Sequence, residues 1–150
     1  MLFYEDMNPG DCIQSPTTVI DRDELVAFAK RWDPMPYHVD EAAGKAAFGS
    51  ITAPGVYMIA VKQRLVHQLP DQHAVIASLG YDELRFHAPV RPGDTVHVKF
   101  ECVNRRESSS KPDRGIVTVR MSLVNQAGVT VMSHLDTILV RRRTLGAAGN

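Results

Sequence analysis

Gly55-Val56-Tyr57-Met58-Ile59-Ala60-Val61-Lys62-Gln63-Arg64-Leu65-Val66-His67-Gln68-Leu69 lies between Pro54 and Pro70, and the fold can be read outward from it. Proline tolerates the first turn of a helix and stops its interior, so the two prolines bracket one helix. Val56 to Val61 is apolar in every direction, which predicts a helix buried on all sides. Lys62, Gln63, Arg64, His67 and Gln68 then bring its far end towards solvent. Beyond Pro70 the apolar period changes from helical to alternating. Ala74–Ala77, Leu84–His87, Thr95–Val103, Ile116–Val124 and Val129–Val140 read as strands. Arg91-Pro92-Gly93-Asp94 and Asn125-Gln126-Ala127-Gly128 are turns, and Ser108 to Gly115 is a polar hairpin connection. Long strands on short turns predict an antiparallel meander. A sheet with one apolar face beside an all-apolar helix curls around it. The fold class is therefore α+β, a long central helix wrapped by a curled antiparallel sheet. Its open edges are natural places for a second subunit.

Upstream of the helix, residues 2–20 read as extended pieces with a turn at Asn8-Pro9-Gly10-Asp11 and a short strand over Ser15–Ile20. Asp21 is an N-cap with Glu24 as its capping-box partner. The helix after it carries Phe28 and Trp32 four residues apart, facing inward, and Pro34 ends it. Asp40 caps a second short helix, Glu41–Ala47, whose small residues permit close approach. Between these helices stands Trp32-Asp33-Pro34-Met35-Pro36-Tyr37-His38-Val39-Asp40. Its two prolines push Asp33 and Met35 to extended geometry and leave no room for a helix. Asp33 and His38 are then displayed from one stiff loop. An acid and an imidazole so placed can share a water molecule or move a proton, although the same residues also suit a solvated turn.

Of the 150 residues, 44% are hydrophobic and 23% charged, and the formal net charge is zero, as in an ordinary globular protein. Neutrality and the lack of a basic aromatic surface count against nucleic acid. Arg141, Arg142 and Arg143 form a local basic run, most simply a solvated strand end. Cys12 and Cys102 have no metal or redox spacing and suit reduced thiols in a cytoplasmic protein. Residues 1–6 do not read as a signal peptide, and no apolar run is long enough to span a bilayer. His67, His73, His87, His97 and His134 show no metal-ligand spacing, and most of them read as surface or satisfied strand residues. One domain over residues 1–145 and a frayed tail over 146–150 are expected.

Asp33-Pro34-Met35-Pro36-Tyr37-His38-Val39-Asp40, Phe48-Gly49, Ala53-Pro54-Gly55, Arg85-Phe86 and Pro89-Val90-Arg91-Pro92-Gly93-Asp94 together resemble the MaoC-like dehydratases, the (R)-specific enoyl-CoA hydratase branch of the hot-dog fold. The likeness covers about residues 15–142. It implies a helix wrapped by an antiparallel sheet and a homodimer or dimer of dimers. It also implies that Asp33 and His38 are the catalytic pair. The reaction would add water to a 2-enoyl thioester, or remove it from a 3-hydroxyacyl thioester, carried on coenzyme A or acyl carrier protein, with no cofactor and no metal.

That chemistry needs a donor for the thioester oxygen. Gly55 opens the central helix, where free N–H groups and the dipole favour negative charge, so its N–H is the expected oxyanion-hole donor, with Val56 second, although Pro54-Gly55 equally suits a plain helix start. Val56, Met58 and Ile59 are the expected acyl-binding residues and Tyr57 can also line the pocket, although Tyr57, Met58 and Ile59 equally suit plain core packing. Lys111 and Arg114 read as a polar hairpin tip. A hot-dog thioesterase would need a carboxylate on or beside the central helix, and Gly55–Leu69 holds none. A catalytically silent or acyl-binding subunit is the other alternative, kept open by Met35, which stands where the hydratase motif usually carries Asn.

Overall fold

Asp21 starts the helical part of the chain in the computed structural model, which describes residues 1–143. Its carboxylate accepts from the Glu24 N–H at 2.8 Å and opens α1 (Arg22–Trp32). The reciprocal half of the capping box is not made. Glu24 instead accepts from the Tyr57 hydroxyl at 3.0 Å and so ties α1 to the central helix. Phe28 continues this tie, its ring 5.2 Å from that of Tyr57. Trp32 does not turn inward: it is 62% exposed, because α1 ends there and Pro34 leads the chain away. Then come α2 (Pro36–Val39), α3 (Glu41–Phe48) and α4 (Gly55–Val66). The Asp40 carboxylate accepts from the Ala43 N–H at 2.8 Å to cap α3, and Gly49, at φ +81°, ends it.

One antiparallel sheet holds all the described strands: β1 (Cys12–Gln14), β2 (Thr18–Val19), β3 (Val75–Phe86), β4 (Thr95–Glu107), β5 (Arg114–Asn125) and β6 (Thr130–Arg141). The order is β1-β4-β5-β6-β3, with β2 also on β4. The meander expected from the turns is β4-β5-β6, with Val98 opposite Leu123 and Val119 opposite Asp136. The two short pieces read before the Arg91 turn are a single strand, β3. It joins β6 on the far edge instead of lying beside β4. Register shifts interrupt this pairing, and Glu83 takes φ +52° at the last of them. A bulge of this kind bends the strand and re-aims the residues beyond it.

The inward faces are continuous: Val96, Val98, Phe100 and Cys102 on β4, and Val117, Val119, Met121 and Leu123 on β5. Tyr57, Met58, Val61 and Leu65 of α4 pack against them. The all-round burial expected of α4 does not hold within the chain. Val56 is 48% exposed and Ala60 is exposed, because the curled sheet covers only one side of the helix. The polar end departs in the other direction. Lys62 has no exposed surface at all, and its ammonium donates to the Tyr81 hydroxyl at 3.0 Å and to Gln63 Oε1 at 3.1 Å.

The basic run near the C-terminus is tied down as well as partly solvated. Arg142 pairs with Glu5 and Glu107, and Arg143 with Asp6. No described helix is long and apolar enough to cross a membrane. The tail expected over 146–150 lies outside the described residues.

Candidate active site

Pro36 decides the local conformation of the Asp33–Asp40 stretch. As the first helical residue it needs no N–H partner and has the right φ, so it opens the one-turn helix α2. The expectation that no helix fits there is corrected in this respect, and His38 projects from a helical turn. The His38 N–H donates to the Met35 carbonyl, and the Met35 N–H donates to the Asp33 carbonyl, both at 2.9 Å. Met35 thus serves through its backbone, while its side chain is largely exposed. Asp33 caps the end of α1, with its N–H on the Ala29 carbonyl at 2.9 Å.

The partner of His38 arrives from the loop after α3. A Cβ on Gly44 would stand 2.7 Å from the Ile51 backbone nitrogen, so the loop can pass that close only because Gly44 has none. The loop is held by the Ala53 N–H on the Val90 carbonyl at 2.8 Å and by Arg91 on the Phe48 carbonyl and on Ser50 Oγ. This brings the Thr52 carbonyl within 2.6 Å of His38 Nδ1. A carbonyl only accepts, so Nδ1 carries the proton. In the neutral ring Nε2 is then the free base. It stands 3.8 Å from Asp33 Oδ2, too far for a direct hydrogen bond and close enough for one oxygen atom to touch both. His38 is buried and Asp33 partly exposed. The ring of Tyr37 stands edge-on to His38 at 4.5 Å and to Phe48 at 5.3 Å.

Asp33, His38, Gly55, Met58, Phe86 and His87 meet in one open cleft of about 410 Å³. Gly55 is the first residue of α4, where backbone N–H groups lack helical partners. The Phe86 ring lies where a Cβ on Gly55 would be, at 2.6 Å, so glycine permits both the aromatic lid and an approach to the backbone. Of the three expected acyl-binding residues, only Met58 reaches the cleft. Val56 is on the uncovered side of α4, and Ile59, half-buried, packs against the core away from it. Residues 55 and 58 are three apart and share a helix face, whereas 56 lies nearly opposite 58.

Thr52, Phe86 and His87 escape a reading by residue type. Thr52 acts through its carbonyl, which any residue possesses. Phe86 and His87 enter the cleft because β3 bends before them; the His87 ring is oriented by Ser133 Oγ, 2.8 Å from Nε2. His134 is also not the satisfied strand residue expected. It is 2% exposed with neither ring nitrogen hydrogen-bonded, and its ring lies 4.2 Å from that of Tyr81. Burial, and next the charge of Lys62, push its pKa below the ordinary histidine value. No group of three or more His, Cys, Asp or Glu among the described residues is arranged to hold a metal ion.

The MaoC like domain family matches residues 7–140. A crystal structure of a MaoC-like dehydratase from Rhodospirillum rubrum is 34% identical, with a TM-score of 0.90 over 97% of this chain and 100% of that one. The mesaconyl-CoA hydratase of Cereibacter sphaeroides is 38% identical over 72 residues, which are 48% of this chain and 21% of that protein. The R-hydratase PhaJ1 of Pseudomonas aeruginosa shares the fold at 24% identity, with a TM-score of 0.75 over 99% of this chain and 94% of that one. The architecture is the hot-dog fold.

Proposed function

Because this chain belongs to the MaoC-like domain family, we propose that it is a hydro-lyase acting on a 2-enoyl or 3-hydroxyacyl thioester of coenzyme A or acyl carrier protein. The observation that carries this reading is the state of His38. Its Nδ1 proton is committed to the Thr52 carbonyl, and its Nε2 faces Asp33 across 3.8 Å, in the same cleft as the start of α4.

The chemistry rests on that arrangement. A water molecule bridging Nε2 and Asp33 Oδ2 is oriented by two acceptors. As its oxygen bonds to C3, one proton passes to Nε2, and the imidazolium returns that proton to C2. The C2–C3 double bond is consumed, and one H and one OH are added. The thioester oxygen gains enolate charge at the transition state and is met by the Gly55 N–H. Dehydration is the same path reversed. The residues present complete this cycle without a metal or redox cofactor.

The acting form is a homodimer or a larger even-numbered assembly, in the cytoplasm. β3 is a twelve-residue edge strand with Val75, Leu79, Tyr81 and Phe86 partly exposed, and the uncovered face of α4 carries Val56. An apolar edge of this length invites a further strand. A copy paired there would also stand beside Phe86 and so wall the cleft.

The test is steady-state hydration of crotonyl-CoA, monitored by loss of the enoyl absorbance. Asp33→Asn and His38→Ala should each lower kcat by about 10²–10⁴-fold with KM changed much less. The double variant should be little worse than the poorer single one. Near-parental kcat in either folded variant rules out the pair as the catalytic machinery, and release of free thiol identifies a thioesterase.

A further inference from the structure

Gly55, Met58, Lys62 and Val66 succeed one another at three- and four-residue steps, so they run down one face of α4. The first two line the catalytic cleft. The last lines a second cavity of about 290 Å³, together with Gln63, Ser78 and Asp136. On that face Lys62 stands between the residues that line the one and the residue that lines the other. Its ammonium is bonded to Gln63, itself a wall residue of the second cavity, and to Tyr81, whose ring it also overlies at 4.5 Å.

Resting on the hydratase reading, we propose that Lys62 is the floor of the acyl site and restricts it to short-chain enoyl thioesters. Lys62 is seven residues beyond Gly55, about 10 Å along the axis, and a helical side chain leans back towards the N-terminus. The space left suits an acyl group of about four to six carbons, drawn as a zigzag of single bonds of about 1.5 Å each. The floor is selective by chemistry as well as by shape. Lys62 is fully buried and forms no ion pair with a carboxylate among the described residues. Beside it, the buried His134 ring lies tilted against that of Tyr81, with neither nitrogen hydrogen-bonded. A methylene chain driven into this layer would break the two hydrogen bonds of a buried ammonium, and alkane contacts do not replace them. Shortening Lys62 joins the two cavities and gives a longer chain somewhere to go.

Calorimetric titration of the unmodified protein with butyryl-CoA and octanoyl-CoA needs no turnover. Butyryl-CoA should bind at least about tenfold more tightly, the scale on which a closed pocket rejects extra methylenes. Octanoyl-CoA binding as tightly or more tightly overturns the floor. In hydration assays, crotonyl-CoA should be preferred over 2-octenoyl-CoA, and Lys62→Ala should shrink that preference at least about tenfold. A folded Lys62→Ala protein with an unchanged chain-length profile is equally fatal. If the variant does not fold, the titration decides alone. If no enoyl-CoA is hydrated, the hydratase reading fails while the titration still judges the floor.

Discussion

His134 shows how one residue's surroundings determine its response to acid. Its folded pKa is depressed, by burial first and then by Lys62, and burial depresses that of His73 as well. The unfolded chain takes up protons on both near pH 6.5, while the folded chain resists. Stability is therefore whole above the unfolded value and falls as pH drops below it, by up to about 1.4 kcal/mol per pH unit for each proton. Denaturant titrations at pH 7.5, 6.5 and 5.5 should show this slope. His134→Met places a polarizable side chain against Tyr81 and should remove about one proton from it. An unchanged slope would mean that His134 is not among the titrating groups. The placement of His134 was legible in part. It shares parity along β6 with Ile138 and Val140, so alternation points it inward, and only its polarity suggested otherwise. Lys62 was less legible, because the ring that covers it comes from Tyr81, on a strand whose neighbours no local pattern specifies.

At the level of elements, the site depends on how closely α3 and the Ser50–Pro54 loop approach. Gly44→Ala should raise helix propensity by up to about 1 kcal/mol if the helix stood alone. Here the new methyl meets the backbone of Ile51 and Ser50 at 2.7–2.9 Å, and backbone yields poorly. The expected net effect is a loss of about 1–3 kcal/mol in thermal or denaturant unfolding. Hydration should fall more than stability alone accounts for, since Thr52 moves with the loop. A stabilised and fully active variant would show that the approach is not tight. The caps of α1 and α3, the start of α4 and the β4-β5-β6 meander were all readable beforehand, because each rests on residues close in sequence. The one-turn helix α2 was not. Proline restrains the residue before it, but at the first helical position it also favours the turn after it. The bend at Glu83, which delivers Phe86 and His87 to the cleft, has no local signature either.

For the molecule as a whole, the uncovered sides of β3 and α4 are the main departure from self-sufficiency. Light scattering should give at least twice the 16.6 kDa chain mass at micromolar concentration. Leu79 is 56% exposed on the edge strand, and Leu79→Lys places a charge on the face a second copy would cover. It should shift the protein towards monomer and lower hydration in parallel. A fully active monomer would end the assembly proposal. The helix-in-sheet architecture was legible from the apolar helix and the strands after it. The place of β3 was not, because alternation states which face a strand buries and is silent on its neighbour.

The ion pairs between the first and last described segments also bear on the order of folding. Arg142 and Glu5 are separated by 137 positions, whereas the β5–β6 hairpin begins where Val124 faces Thr130. Each doubling of a closed loop costs about 0.6 kcal/mol, so uniting the two ends costs about 3 kcal/mol more than closing the hairpin. The arginines can recover that only once the sheet already holds them in place. The hairpins are therefore expected to form early, and the N-terminal segment, with Tyr4 seated over Gly115, to dock among the last.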